Sequence, residues 1–184
     1  DSLGNNVLCK DLDLNSLQGD KEVIDILERM NVIFNASAIG VKGTTSGQLV
    51  STIIDGSQCP DIIPVLAATA SLAKGRTEII NAGRLRIKEC DRLAAVTSEL
   101  NKLGAKIVEQ EDGLIVTGVE KLKGNVEVWS HKDHRIAMTL AIASTRCEEP
   151  IVIKDYECIA KSYPRFFDDF RTLGGDIHEW NVGK

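Results

Sequence analysis

A pattern of roughly 70 residues recurs along this 184-residue chain, and it constrains the fold more tightly than any composition figure. The segment Glu28-Arg29-Met30-Asn31-Val32 reappears as Asn101-Lys102-Leu103-Gly104-Ala105, and again as Arg171-Thr172-Leu173-Gly174-Gly175. Each closes an amphipathic helix, expected over 22–30, 91–103 and 163–173. In the second, Leu93, Val96, Leu100 and Leu103 fall on one face at helical spacing. Gly104 and Gly174 suit the left-handed position just past a helix end. Strands are expected next, over 32–34, 106–109 and 176–179. A second helix type also repeats. Segments 62–73 and 135–144 are Ala-rich and apolar almost all round, so both should be buried. Strands over 77–80 and 151–153 follow them, and 6–12 matches those strands as the tail of an earlier copy. The expected fold is an α/β (α+β) arrangement of pseudo-symmetric repeats, with buried helices inside and sheets outside. The opening residues lack an initiator Met and start in turn formers; they read as a cut inside a larger protein.

Two basic clusters interrupt an acidic background. They are Arg84-Leu85-Arg86-Ile87-Lys88-Glu89-Cys90-Asp91-Arg92 and Ser130-His131-Lys132-Asp133-His134-Arg135, in a chain of net charge −5. Such concentration points to a small, heavily anionic ligand. A sequence pI near 5.3 argues against a broad nucleic-acid footprint. No apolar run approaches the roughly 20 residues that span a bilayer, and no leader-like start is present. Five cysteines, widely spaced and without a CxxC pair, suggest reduced thiols rather than a disulfide frame or zinc site. A cytoplasmic protein is expected.

Lys88 and Arg92 stand at i,i+4, which would set both on one helical face. Glu89 and Asp91 alternate with the cations; they either orient a guanidinium or, for Glu89, move a proton. A solvated, salt-bridged turn would read the same way. Asp133 is a good N-cap for the buried helix that starts near His134. That helix start, with its free N–H groups and Arg135, suits phosphate or carboxylate; a plain capping motif is the alternative. Asp61 falls in register with His134 at the start of the earlier buried helix. It is either an ionised cap or a group that accepts a hydroxyl's hydrogen bond or proton. Lys161 precedes the third exposed helix as Lys88 precedes the second, and each alone reads as a surface lysine. His131 reads as plain surface. If the repeats pack around an axis, these helix starts meet at one end.

The same residues carry a resemblance. Arg86-Ile87-Lys88-Glu89-Cys90-Asp91-Arg92 resembles the R-x-K-E-[ST]-D-R signature of the 5-enolpyruvylshikimate-3-phosphate synthase family. Asp133-His134-Arg135-Ile136-Ala137-Met138 resembles its D-H-R-[MI]-A-M string, and Cys158-Ile159-Ala160-Lys161-Ser162-Tyr163-Pro164 its C-x-x-K-[ST]-[FY]-P segment. Asp61, in Cys59-Pro60-Asp61, matches the P-D before the family's buried helix. The resemblance implies two domains, each of three βαβαββ-type units, closing as a clamp. Residues 1–184 would be a single C-terminal domain of about two and a half repeats, with the N-terminal domain absent. The implied reaction transfers the enolpyruvyl group of phosphoenolpyruvate to the 5-hydroxyl of shikimate 3-phosphate and releases phosphate. By the same resemblance Arg92, Arg135 and Lys161 would hold phosphoenolpyruvate, and His134 would line that site. Asp61 and Lys88 would contact shikimate 3-phosphate. Asp61 would be the base at the 5-hydroxyl, and Glu89 would move the proton at the methylene carbon. The partners implied are the two substrates and the missing N-terminal domain, with no cofactor, metal, nucleic acid or membrane. The chain alone is expected to be inactive.

The chemistry agrees with that assignment. Phosphoenolpyruvate carries a phosphate and a carboxylate, which two guanidiniums and an ammonium would match. Protonating its methylene carbon develops positive charge next door, where a carboxylate is stabilising. Two departures stand out. Cys90 replaces the usual Ser or Thr for no catalytic reason, and Arg84-Leu85 stand where some members have Asn-Trp. A UDP-N-acetylglucosamine enolpyruvyl transferase is the nearest alternative, opposed by the K-E-C-D-R and D-H-R-I-A-M strings. A non-catalytic repeat module that binds anions or protein is the other. Arg92→Ala or Arg135→Ala is expected to cut activity by orders of magnitude without unfolding the domain.

Overall fold

The computed structural model describes residues 7–45 and 47–179. Its order is α1 (Glu22–Arg29), β1 (Val32–Ser37), β2 (Gly40–Thr45), β3 (Ile53–Asp55), α2 (Ile63–Ala70), β4 (Arg76–Ile80), α3 (Arg92–Lys102), β5 (Lys106–Gln110), β6 (Gly113–Thr117), β7 (Val126–Trp129), α4 (His134–Ser144), β8 (Ile151–Lys154) and α5 (Phe166–Thr172). Three short 3₁₀ turns, Gly19–Lys21, Gly83–Ile87 and Tyr156–Lys161, lead towards α1, α3 and α5.

The repeat is visible as two βαβ units. β3 pairs parallel with β4 and β7 parallel with β8. Parallel neighbours need a crossover, and the Ala-rich helices α2 and α4 supply it. An isolated parallel bridge precedes each pair, Val50 with Lys74 and Leu122 with Cys147. In the first unit the sheet grows to four strands, in the order β3-β4-β6-β5, by adding the antiparallel hairpin β5–β6. β1 and β2 form a separate antiparallel hairpin.

Apolar character on almost every side leaves α2 and α4 no solvent face. Along α2, Ile63, Pro64, Leu66, Ala67, Ala68, Thr69 and Ala70 are all buried. Pro64 is tolerated because it sits in the first turn, where its missing N–H has no partner to lose. Along α4, Ile136, Ala137, Leu140, Ala141 and Ala143 are buried. α3 is two-faced instead: Leu93, Val96, Leu100 and Leu103 join the same core as α2 and α4. Each such Leu removed from water contributes about 1.5–3 kcal/mol. Helices in the middle and sheets around them match the expected architecture.

The three repeat ends share one backbone device. Asn31 (φ 76°), Gly104 (φ 91°) and Gly174 (φ 97°) all adopt the left-handed conformation at the expected position. Each turns its N–H back to a carbonyl three residues earlier, on Glu28, Asn101 and Arg171. Glycine adopts this conformation freely, and Asn is the side-chain-bearing residue that tolerates it best.

Several boundaries differ from expectation. Residues 176–179 form no strand, because no strand among the described residues lies alongside to satisfy their backbone. Of the segment 6–12, Asn6 lies outside the described residues, and only Cys9 makes a bridge, to Val41. α5 begins at Phe166 rather than 163. Pro164 disfavours helical backbone at Tyr163. α2 stops at Ala70 and the chain tightens through a turn towards Gly75, which has φ 108°.

Candidate active site

The helix starts meet. Asp61 lies just before α2, Arg92 is the first residue of α3, and His134 and Arg135 open α4. Lys88 and Glu89 sit between the Gly83–Ile87 turn and α3, and Lys161 ends the Tyr156–Lys161 turn. Six of the seven are linked through ion pairs, and His134 lies beside Glu89.

Arg92 is the hub. Its side chain is only 2% exposed. Nε donates to Asp133 Oδ2 at 2.8 Å, Nη1 to Asp61 Oδ1 at 2.8 Å, and Nη2 to Glu89 Oε2 at 3.0 Å. Asp133, with no exposed side-chain surface, also caps α4 by accepting the Arg135 N–H at 2.8 Å. The Cys90 thiol donates to the same carboxylate at 3.7 Å, and burial, then the Asp133 charge, pushes that thiol up to about 12. Cys90 is thus a packing partner of Asp133.

Around this hub the other cations converge on two carboxylates. Lys88 Nζ and Arg135 Nη2 each lie 3.4 Å from Asp61. Lys161 Nζ lies 3.0 Å from Glu89 Oε1, and His134 Nδ1 lies 4.0 Å from the same oxygen, too far to hydrogen-bond. Partial burial would raise Asp61, but the Arg92 hydrogen bond and the charges of Arg135, Lys88 and Arg92 outweigh it and lower its pKa. The Lys161 hydrogen bond, helped by Glu89's own backbone N–H and the Arg92 charge, holds Glu89 down to about 2. Burial keeps His134 below the usual imidazole range. His134 Nδ1 and Arg135 Nε are buried without a hydrogen-bond partner, both at the start of α4. Buried polar atoms left in that state are uncommon, and Thr97 Oγ1 is the other example among the described residues.

The geometry corrects two expectations, on the Lys88–Arg92 spacing and on His131, and sharpens two others, on Asp61 and Asp133. Lys88 and Arg92 do not share a helical face: Lys88 is extended (ψ −157°), and α3 begins only at Arg92, capped by the Asp91 side chain. The two cations instead reach Asp61 from different backbone directions. Asp61 caps nothing, since α2 carries no side-chain cap bond. Asp133, expected only as an N-cap, is the buried counter-charge of Arg92. Its short spacing to His134 and Arg135 was the one available signal. His131 is not plain surface; its Nε2 lies 3.1 Å from Oε1 of the buried Glu99. Arg86 is structural, gripping Asp91, Glu109 and two carbonyls of the β5–β6 turn. Arg84 is exposed.

Among the described residues no cluster of His, Cys, Asp and Glu would hold a metal ion. No helix among them is long and apolar enough to cross a membrane.

Comparison with known proteins bears on this arrangement. The family model for EPSP synthase (3-phosphoshikimate 1-carboxyvinyltransferase) matches residues 2–170. A 3-phosphoshikimate 1-carboxyvinyltransferase from Clostridium beijerinckii is 70% identical over all 184 residues. One from Clostridioides difficile is 62% identical over the same span. In both cases the chain spans 42% of the relative's length. Among solved structures, an EPSP synthase from Acinetobacter baumannii superposes with a TM-score of 0.82 at 28% identity, over 95% of this chain and 43% of that one. The chain therefore belongs to the EPSP synthase family.

Proposed function

We propose that this chain is the phosphoenolpyruvate-gripping domain of an enzyme that transfers an enolpyruvyl group to the 5-hydroxyl of shikimate 3-phosphate. One observation carries the reading: Lys88, Arg92, Arg135 and Lys161, drawn from three separate helix starts, face a common cluster holding two partly exposed carboxylates. Arg135 and Lys161 take the phosphate and carboxylate of phosphoenolpyruvate. Arg92 contributes from below, and the unpaired His134 Nδ1 and Arg135 Nε–H meet the same ligand. Lys88 and Asp61 face shikimate 3-phosphate, with Asp61 accepting the 5-hydroxyl proton.

The ionic state of the site sets a condition on catalysis. Glu89, at about 2, is too weak a base while Lys161 and Arg92 hold it. A bound anion competes for Lys161 and Arg92, and drawing them away raises Glu89 towards the range where it can exchange a proton with the methylene carbon. The cluster holds four cations against Asp61, Glu89 and Asp133, a surplus of one positive charge. Two phosphorylated substrates carry far more negative charge than that. The remaining cations come from the portion of the relatives' length outside this chain, which acts as the opposing jaw.

The test is phosphate release from phosphoenolpyruvate plus shikimate 3-phosphate, with this chain alone and with the complementary portion of a relative. Turnover only in the reconstituted pair is expected. A folded pair that releases no phosphate would refute the reading.

A further inference from the structure

Two charged residues of α3 are buried on one stripe. Arg92 and Glu99 are seven apart, two helical turns, and both point inward. Arg92 serves the site. Glu99, 2% exposed, has no part in it yet is fully engaged. Its carboxylate accepts the Trp129 N–H at 2.8 Å and contacts His131 Nε2 at 3.1 Å, Lys102 Nζ at 2.7 Å and the Ser98 hydroxyl at 3.1 Å. Burial pushes the carboxyl up, but the bonds from Lys102, Trp129 and His131 more than offset it.

What Glu99 holds is the segment that delivers the start of α4. His131 (φ 53°) and Lys132 (φ 57°) are consecutive left-handed residues, a conformation that side-chain-bearing residues keep only when their surroundings impose it. The His131 ring lies 4.1 Å from the Trp129 ring, and the Trp129 indole N–H donates to Asp155 at 2.8 Å. Ser130 ties the same segment to the Asp155 carbonyl at 2.9 Å and accepts the Lys132 N–H at 3.0 Å. Asp133 follows at once, beneath Arg92. α3 thus bolts one five-residue segment at both ends, with a carboxylate at Trp129 and His131 and a guanidinium at Asp133.

We propose that Glu99, acting with His131, is a positioning residue: it sets the 129–133 segment so that Asp133 meets Arg92 and the start of α4 faces the anion site. The proposal rests on the functional reading above for what the site binds, but not for its first readout. That readout is hydrogen exchange of the Arg92 Nε–H, followed by NMR in the ligand-free 184-residue chain. Glu99→Ala is expected to speed this exchange at least tenfold while backbone amides of α2 keep their protection. Glu99→Gln, which still accepts the Trp129 N–H, should restore most of it. In the reconstituted pair, the KM for phosphoenolpyruvate should rise about tenfold in Glu99→Ala.

Arg92 protection unchanged within twofold, or lost in parallel with α2, overturns the proposal and leaves Glu99 a stabilising residue only. Should Glu99→Ala not fold, His131→Ala decides on the same scale, with at least threefold faster Arg92 exchange expected and no change fatal. If the folded reconstituted pair releases no phosphate, the functional reading fails while the ligand-free exchange result still stands.

Discussion

Asp61 and Asp133 stand at the starts of equivalent buried helices in successive repeats, and they have opposite fates. Asp133 is wholly buried, caps α4 and closes on Arg92. Asp61 is about a third exposed, caps nothing and is shared by Lys88, Arg92 and Arg135. One repeat has spent its carboxylate on holding a cation in place; the other has left its carboxylate where a second molecule can reach it. The backbone symmetry supplies matching positions, and burial decides which is closed off as scaffold and which stays within reach of solvent.

The largest effect should come from breaking the scaffold side. Asp133→Ala removes the buried partner of Arg92 Nε and the cap of α4, while Asp61 and Glu89 stay on the other guanidinium nitrogens, and should cost about 2–4 kcal/mol. An unfolding free energy, from urea titration, that fell by less than about 1 kcal/mol would contradict Asp133's role. Arg92→Ala should cost about 3–5 kcal/mol, because it leaves the buried Asp133 without its counter-charge; this revises the expectation that Arg92 can be removed without unfolding. Asp61→Ala sharpens the contrast. Its exposed pairs are screened by water, so stability should fall by about 1 kcal/mol or less. Activity of the reconstituted enzyme should still drop by about 10²–10⁴ if Asp61 is the base. Equal loss of stability in Asp61→Ala and Asp133→Ala would erase the distinction.

A smaller effect is pH-dependent. Glu89 is held down to about 2, below its unfolded value near 4.3. A depressed carboxylate stabilises the fold above the unfolded value and loses that contribution as pH falls through the folded one. Acid should therefore erode stability between about pH 4.3 and pH 2. Glu89→Gln should flatten the curve in that window; identical slopes would show that the Lys161 and Arg92 contacts hold nothing. The smallest change is Cys90→Ser, which offers Asp133 a hydroxyl in place of a thiol and should alter stability by about 1 kcal/mol at most. Alkylation at neutral pH should spare Cys90, whose thiol is pushed up to about 12, and label the exposed Cys9 first.

Much of this contrast is legible in the chain. Helix starts could be placed because capping and periodicity are local, and the repeat brought Asp61 into register with His134. Convergence of the seven site residues followed from that register. Burial of Arg92 was not legible, since a charged residue in a basic cluster reads as exposed until its counter-ion, 41 positions away, is known. The helical spacing of Lys88 and Arg92 misled for a related reason: periodicity counts residues, and the extended backbone at Lys88 and Asp91 broke the count. His131 could not be read because its partner, Glu99, looks in sequence like one more solvent-facing residue of an amphipathic helix.

The ion pairs of the site also carry a history of assembly. Arg92 meets Asp61 across 31 residues and Asp133 across 41; Lys161 meets Glu89 across 72, and Arg135 meets Asp61 across 74. Contacts so distant along the chain must bear the entropy of closing long loops before they return anything. They are expected to form after the local helices and hairpins, and the longest join the third repeat to the second. The finished cluster is therefore also a mark that the third repeat has packed on the second.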